Sequence, residues 1–124
     1  MVEKVCTVAA RIEGISDLAY DGFKFSGNAQ YRKARFVLVH GTFLLNFDLS
    51  LIEALLPAPV KQPAYRRGRS HVEFVANLHA DQARLCDALK NAWKCEGNFH
   101  DVPFARINEL IRVRYGSAGW SEKF

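Results

Sequence analysis

Lys24 is the side chain with the clearest chemical promise in this sequence. It lies in DGFKFSGNAQ (21–30), between Phe23 and Phe25 and just ahead of the small polar run Ser26-Gly27-Asn28-Ala29. Successive side chains of an extended segment alternate between faces, so the ammonium group is directed away from both phenylalanines. It is then either a solvated strand lysine or a cation facing a ligand. The run after it reads as a flexible turn, whose glycine allows close backbone approach and whose N–H groups would suit an anion. A second pair, His40 and Thr42, stands in VHGTFLL (39–45), where a spacing of two puts both on one face. They either line a pocket with Lys24 or support the sheet.

The other reactive residue types are less organised. Cys6, Cys86 and Cys95 are an odd number without C-x-x-C spacing, so free thiols are expected rather than a disulfide framework. His79, Cys86, Cys95 and His100 are separated by six, eight and four residues, unlike the compact ligand pairs of structural zinc sites, and no metal site is expected. A thiolate nucleophile needs a nearby cation or helix start, and Cys6 is the one cysteine ahead of Lys24. Residues 61–71 gather Lys61, Arg66, Arg67 and Arg69 around Tyr65. This connector is either a solvated loop or a contact for phosphates or an acidic protein surface, where charge raises encounter rate more than affinity. A nucleic-acid groove would need a basic stripe interleaved with stacking aromatics, and one loop does not supply it.

The elements that must position these groups change character near Asp48. Before it, residues 18–25 place two extended stretches around Asp21-Gly22, a dipeptide that accepts the positive φ angles of a two-residue hairpin turn. Residues 35–46 (RFVLVHGTFLLN) are dense in Phe, Val and Leu, which suits a strand covered on both faces, with Gly41 marking a bulge or a close backbone approach. After it, Ser50 with Glu53 and Ser70 with Glu73 form capping-box patterns ahead of short helices, the second over 72–78. Pro57 stops the first of these. Asp81 caps a third helix, with Leu85, Cys86, Leu89 and Trp93 on one face and Gly97 as its left-handed terminator. Asp101 and Pro103 open a fourth, with Phe104, Ile107, Leu110 and Ile111 inward and Gly116 closing it. Strands followed by helices predict an α+β fold, a small antiparallel sheet with helices on one face.

The chain's 124 residues, 49% apolar and 24% charged, fit one domain spanning 1–124 with a real core. Seventeen Lys and Arg against thirteen Asp and Glu leave a formal charge of +4, a mild bias toward anionic partners. No apolar run approaches the length of a bilayer span, and the start has acidic Glu3 and no signal-type stretch, so the expectation is a cytoplasmic protein without a membrane partner.

The stretch 21–45 resembles the lipoate-protein ligase family, within the superfamily of biotin/lipoate ligases and octanoyltransferases. Its pattern of a DGRK-type turn, SG-(N/S)-A-Q, a basic pair and an HGT-L-L strand is met by Asp21, Gly22, Lys24, Ser26, Gly27, Asn28, Ala29, Gln30, Arg32, Lys33, His40, Gly41, Thr42, Leu44 and Leu45. Looser similarity extends through Ile15-Ser16-Asp17-Leu18, the QPAYRRGRSH connector, Asn77-Leu78 and the segment from Tyr115 to Trp120. The resemblance implies the second half of a catalytic domain that activates lipoate with ATP, Mg²⁺ arriving on the phosphates, and transfers it to a lysine of a lipoyl-acceptor protein. It implies that Lys24 contacts the lipoate carboxyl and adenylate phosphate, with Ser26, Gly27, Asn28, Ala29, His40 and Thr42 around them. The first half of such a domain carries an Arg-Arg-x-x-Gly-Gly-Gly loop, which this sequence lacks, and Phe23 stands where the family often has arginine. A complementary N-terminal chain or a homo-oligomer is therefore expected, since an unpaired half should expose an apolar patch or an open strand edge. Two other readings stay open: a non-catalytic binding or regulatory protein with a truncated fold, and a cysteine-dependent octanoyltransferase relative.

Overall fold

A computed structural model describes residues 8–98 and 100–123. Four strands, β1 (Arg11–Glu13), β2 (Asp17–Tyr20), β3 (Phe23–Arg32) and β4 (Val37–Phe43), form one antiparallel sheet in the order β1-β2-β3-β4. Asp21 and Gly22 have φ of 48° and 80°, so the two-residue turn between β2 and β3 has the positive angles that the Asp-Gly pair anticipates.

The helical part comprises α1 (Leu49–Leu55), a 3-10 turn (Ala64–Arg66), α2 (His71–Phe74), α3 (Gln82–Ala92), α4 (Phe104–Leu110), a π-helical turn (Ile111–Tyr115) and α5 (Ala118–Ser121). Strands first and helices after make the chain α+β, as expected.

Two local expectations change. Ser26-Gly27-Asn28-Ala29 is no bend: it is the middle of β3, paired with residues 40–43 of β4. Between β2 and β3 the pairing shifts, because Leu18 stands opposite Ser26 but Ala19 opposite Lys24, which leaves Phe25 as an extra residue on β3. This bulge interrupts alternation, and consecutive residues Phe25 and Ser26 are both buried. Gly41, by contrast, sits in unbroken register opposite Asn28. It is the close approach, since a Cβ there would lie 2.1 Å from Asn28 Oδ1 and 2.9 Å from the Gly27 carbonyl oxygen.

The core lies on one face of the sheet. Phe25, Leu78 and Ala80 are at its centre, with Leu18, Tyr20, Phe43 and Leu45 packed against them. The Tyr20 and Phe43 rings stand 5.8 Å and 6.2 Å from that of Phe25. Leu78 reaches this core on an extended segment, where a helix over 72–78 is expected. The Ser70–Glu73 capping box is present, but α2 ends at Phe74, and residues beyond it bond to the sheet instead: Ala76 N–H to the Lys24 carbonyl and Leu78 N–H to that of Leu44. The Asn77 side chain secures this path by donating to the Phe47 carbonyl and accepting from the Phe47 N–H, at 2.8 and 3.0 Å.

Other caps shift by tertiary demand. Asp48, not Ser50, caps α1. Glu53 reaches across to accept from the His71 and Val72 N–H groups at the start of α2. Asp81 caps α3 as expected, but the left-handed residue after it is Lys94 rather than Gly97, and Cys86 and Trp93 are exposed while Leu85 is buried. In α4 and the turn after it, Phe104, Ile107 and Ile111 are exposed rather than inward and Leu110 is half-buried, so most of that face has no cover among the described residues.

Candidate functional site

The hairpin carries Lys24 to a defined place. Its Nζ lies 2.8 Å from Asp17 Oδ1, and the two side chains retain 30% and 17% of their exposure. This ammonium group is thus paired and mostly covered. Asp17 is held in turn by the Tyr65 hydroxyl, which donates to Oδ2 at 2.8 Å. Burial pushes the Tyr65 hydroxyl well above the usual tyrosine range, and the hydrogen bond to Asp17 and that residue's charge act in the same direction. Neither Asp17 nor Tyr65 stands out from sequence spacing alone: they are 48 residues apart and meet because the connector folds over the hairpin.

Parity divides the rest of the expected set. The Lys24 amine lies over Gly27, where a Cβ would stand 3.4 Å from its Cε and Nζ. Gly27 pairs with Thr42 and Ala29 with His40, and directly opposed residues of an antiparallel ladder share a face. Gly27, Ala29, His40 and Thr42 therefore stand on the lysine's side, with His40 and Thr42 exposed. Ser26 and Asn28 point the other way. Ser26 is buried, and the Asn28 amide donates to its Oγ at 3.2 Å and to the Ser16 carbonyl at 2.8 Å, while the Ser16 hydroxyl donates to the Asn28 carbonyl. These two side chains fasten the β1–β2 turn to β3 and do not face Lys24.

The N–H donors anticipated from a bend are correspondingly fewer. The Lys33 N–H bonds to Phe36 O and the Leu44 N–H to Phe25 O, at opposite ends of the β3–β4 ladder. Hydrogen-bonded pairs alternate between these ends, so Gly27 and Ala29 exchange their N–H groups with Thr42 and His40.

A cavity of about 510 Å³ opens beside the ion pair, lined by Asp17, the Gly14-Ile15-Ser16 turn and Lys61 to Ala64. A second, of about 480 Å³, lies on the far side of that turn against Asn28, Gln30 and Val39. The basic connector is only partly available to ligands. The buried Arg66 guanidinium stacks 4.9 Å from the Phe74 ring and donates from Nε to the Arg69 carbonyl. Arg69 donates to the carbonyls of Gly22, Tyr65 and Glu73, pinning the connector to the hairpin turn. Lys61 and Arg67 remain exposed.

Cys86 and Cys95 are exposed free thiols. Cys6 lies outside the described residues. Among the described residues no three His, Cys, Asp or Glu side chains gather where they could hold an ion, and no helix is long and apolar enough to cross a membrane.

The lysine-bearing hairpin lies within a four-stranded antiparallel sheet that short helices follow, an α+β arrangement. The chain superposes with a TM-score of 0.71 on a chain from the bi-partite lipoate protein ligase and E2 lipoyl domain structure of Thermoplasma acidophilum, at 20% identity over 96% of this chain and 52% of that one. Residues 1–95 match the lipoyl protein ligase A/B catalytic domain, and the chain belongs to that family. The octanoyltransferase LipM of Brevibacillus brevis (strain 47 / JCM 6285 / NBRC 100599) is 26% identical, over 85% of this chain and 43% of that protein. The chain thus spans about half the length, or less, of these relatives. Helices α4 and α5 lie beyond the matched family region.

Proposed function

We propose that this chain is the second half of a lipoate-protein ligase catalytic domain and supplies Lys24 to the activation of lipoate. In the first step a lipoate carboxylate oxygen attacks the α-phosphorus of ATP, forming the acyl-adenylate and releasing pyrophosphate. In the second, the amine of an acceptor-domain lysine attacks the carbonyl carbon, an amide forms, AMP leaves, and the nitrogen gives up a proton. Both steps concentrate negative charge at the junction of carboxyl and phosphate. A cation already fixed there favours that charge, and more strongly in a water-poor site than in bulk water.

The observation that carries this reading is the Lys24 amine, held over Gly27 by Asp17 in a chain of the ligase family. Asp17 keeps the ammonium group extended over the glycine until an anionic ligand competes for it. Thr42 and His40, on the same face, would flank the bound adenylate. Mg²⁺ would be held mainly by the phosphates it arrives with. The Gly-rich loop is expected from a complementary N-terminal half, and the acceptor is a lipoyl domain.

A second reading is favoured by one observation, the similarity to an octanoyltransferase. In that case a cysteine thiolate takes the acyl group and ATP is not consumed. Incubation with ATP, lipoate, an acceptor domain and the complementary half separates the two. The ligase reading expects acceptor mass to rise by one lipoyl group only when ATP is present. Transfer from an octanoyl donor without ATP would replace it with the second reading, and no transfer under either condition would leave the chain a non-catalytic binding protein.

A further inference from the structure

Strand β4 carries apolar side chains on both faces, and those of its first half are exposed among the described residues. Val37 and Val39, on the core face, retain 59% and 45% of their exposure, and Leu38, on the opposite face, retains 57%. Phe36 just before them is also exposed. A run with this composition suits a strand buried on both faces. Among the described residues β4 is moreover the last strand of the sheet, and its unpaired side can be assigned atom by atom. Because Phe36 and Leu44 are bonded to β3, the inward-facing pairs fall on the even-numbered residues of β4. The outward N–H and C=O groups belong to Val37, Val39, Gly41 and Phe43. A seven-residue edge with exposed apolar side chains at Val37, Leu38 and Val39 is a template for another strand.

We propose that the β4 edge is the docking surface for the complementary half of the catalytic domain, which lays an extended segment along Val37 to Phe43 and covers Val37, Leu38 and Val39. This rests on reading the chain as one half of a ligase domain. The choice of occupant over a second copy of this chain comes from length: the chain accounts for 52% of the ligase chain and 43% of the octanoyltransferase it is similar to, so as much polypeptide again accompanies this region in both. An added strand would pair the outward N–H and C=O groups and set its own side chains beside Val37, Leu38 and Val39. It would also bring residues of the other half to the His40 and Thr42 side of the sheet, where the Lys24 amine lies.

The test is amide hydrogen exchange on the isotope-labelled chain, alone and with an unlabelled polypeptide comprising the first half of a lipoyl protein ligase A/B catalytic domain. Binding should slow the Val39 and Gly41 amides about tenfold or more, with little change at the inward Leu38 and His40 amides. A Val39→Pro variant removes one outward donor without touching the β3 ladder, and proline is tolerated on edge strands. It should keep the thermal unfolding of the parent and bind the complementary half about tenfold more weakly. A complex that leaves Val39 and Gly41 exchanging freely overturns the proposal, as does the absence of any complex. Protection of the same amides in the chain alone, rising with its concentration, would assign the edge to a second copy instead. Lipoyl-adenylate formation is read in the same mixtures: docking without adenylate rejects the ligase reading and keeps the surface, whereas adenylate without protection rejects the surface and keeps the ligase.

Discussion

Replacing Gly41 by alanine tests how tightly β4 is fitted against the lysine-bearing strand. On an unobstructed strand this change should stabilise the chain, because glycine in a strand interior costs about 0.5–1 kcal/mol relative to alanine. Here the added methyl would enter space held by Asn28, at 2.1 Å from Oδ1, and would also lie 2.9 Å from the Gly27 carbonyl oxygen. Asn28 must swing away, and its amide then loses the Ser16 carbonyl and the Ser26 hydroxyl, at 2.8 and 3.2 Å. At about 0.5–1.5 kcal/mol each, those two bonds cost about 1–3 kcal/mol, and the gain from replacing glycine leaves a net loss of about 0.5–2 kcal/mol. For a chain of this size that is a fall in unfolding midpoint of about 2–8 °C. Thermal unfolding followed by circular dichroism reads it, with Gly97→Ala as the control, since nothing lies within 4 Å of a Cβ there. In an Asn28→Ala background the cost of Gly41→Ala should shrink, because the clashing group has gone. A Gly41→Ala chain as stable as the parent would refute the fit described between the two strands.

Other outcomes follow from the same geometry. Tyr65→Phe removes the hydroxyl that holds Asp17 and should lower stability by about 1–2 kcal/mol, read by urea denaturation. The folded chain binds the Tyr65 proton more tightly than the unfolded chain does, so the parent should lose stability as pH rises above about 10 and the Phe variant should lose less. Glu73 has the opposite sign: hydrogen bonds from the Ser70 N–H and hydroxyl hold its carboxyl below the usual range, so its contribution is present above about 4.5 and disappears on acidification. Glu73→Gln should flatten that acid limb of the unfolding midpoint against pH. Alkylating Cys86 and Cys95, both exposed, should leave acyl-adenylate formation unchanged, whereas loss of activity in a Cys6-free chain treated this way would place a reactive thiol in the reaction.

What the sequence discloses is mostly what is local. The Asp21-Gly22 turn, the Ser70–Glu73 capping box and the Asp81 cap each arise from bonds within a few residues, and each forms as read. Interactions between distant segments override the rest. Val75 to Leu78 look helical by pattern, yet become extended because Lys24 and Leu44 offer carbonyls and Asn77 clamps Phe47. The bulge at Phe25 leaves no compositional mark, and it is what turns Lys24 toward Gly27. Periodicity also says which side chains want cover, as for Ile107 and Ile111, but not whether cover is present. Among the candidate site residues, the shared face of His40 and Thr42 follows from their spacing of two, while the separation of Ser26 and Asn28 from Lys24 follows only once the run is known to be strand rather than bend.

The decisive measurement is single-turnover formation of lipoyl-adenylate from ATP and lipoate by the chain together with its complementary half, comparing the parent with Lys24→Ala. Removing a preorganised cation at the charge-bearing junction should slow this step about 10²–10³-fold while the chain stays folded. Adenylate appearing at the parental rate without the Lys24 ammonium group would contradict the role given to it.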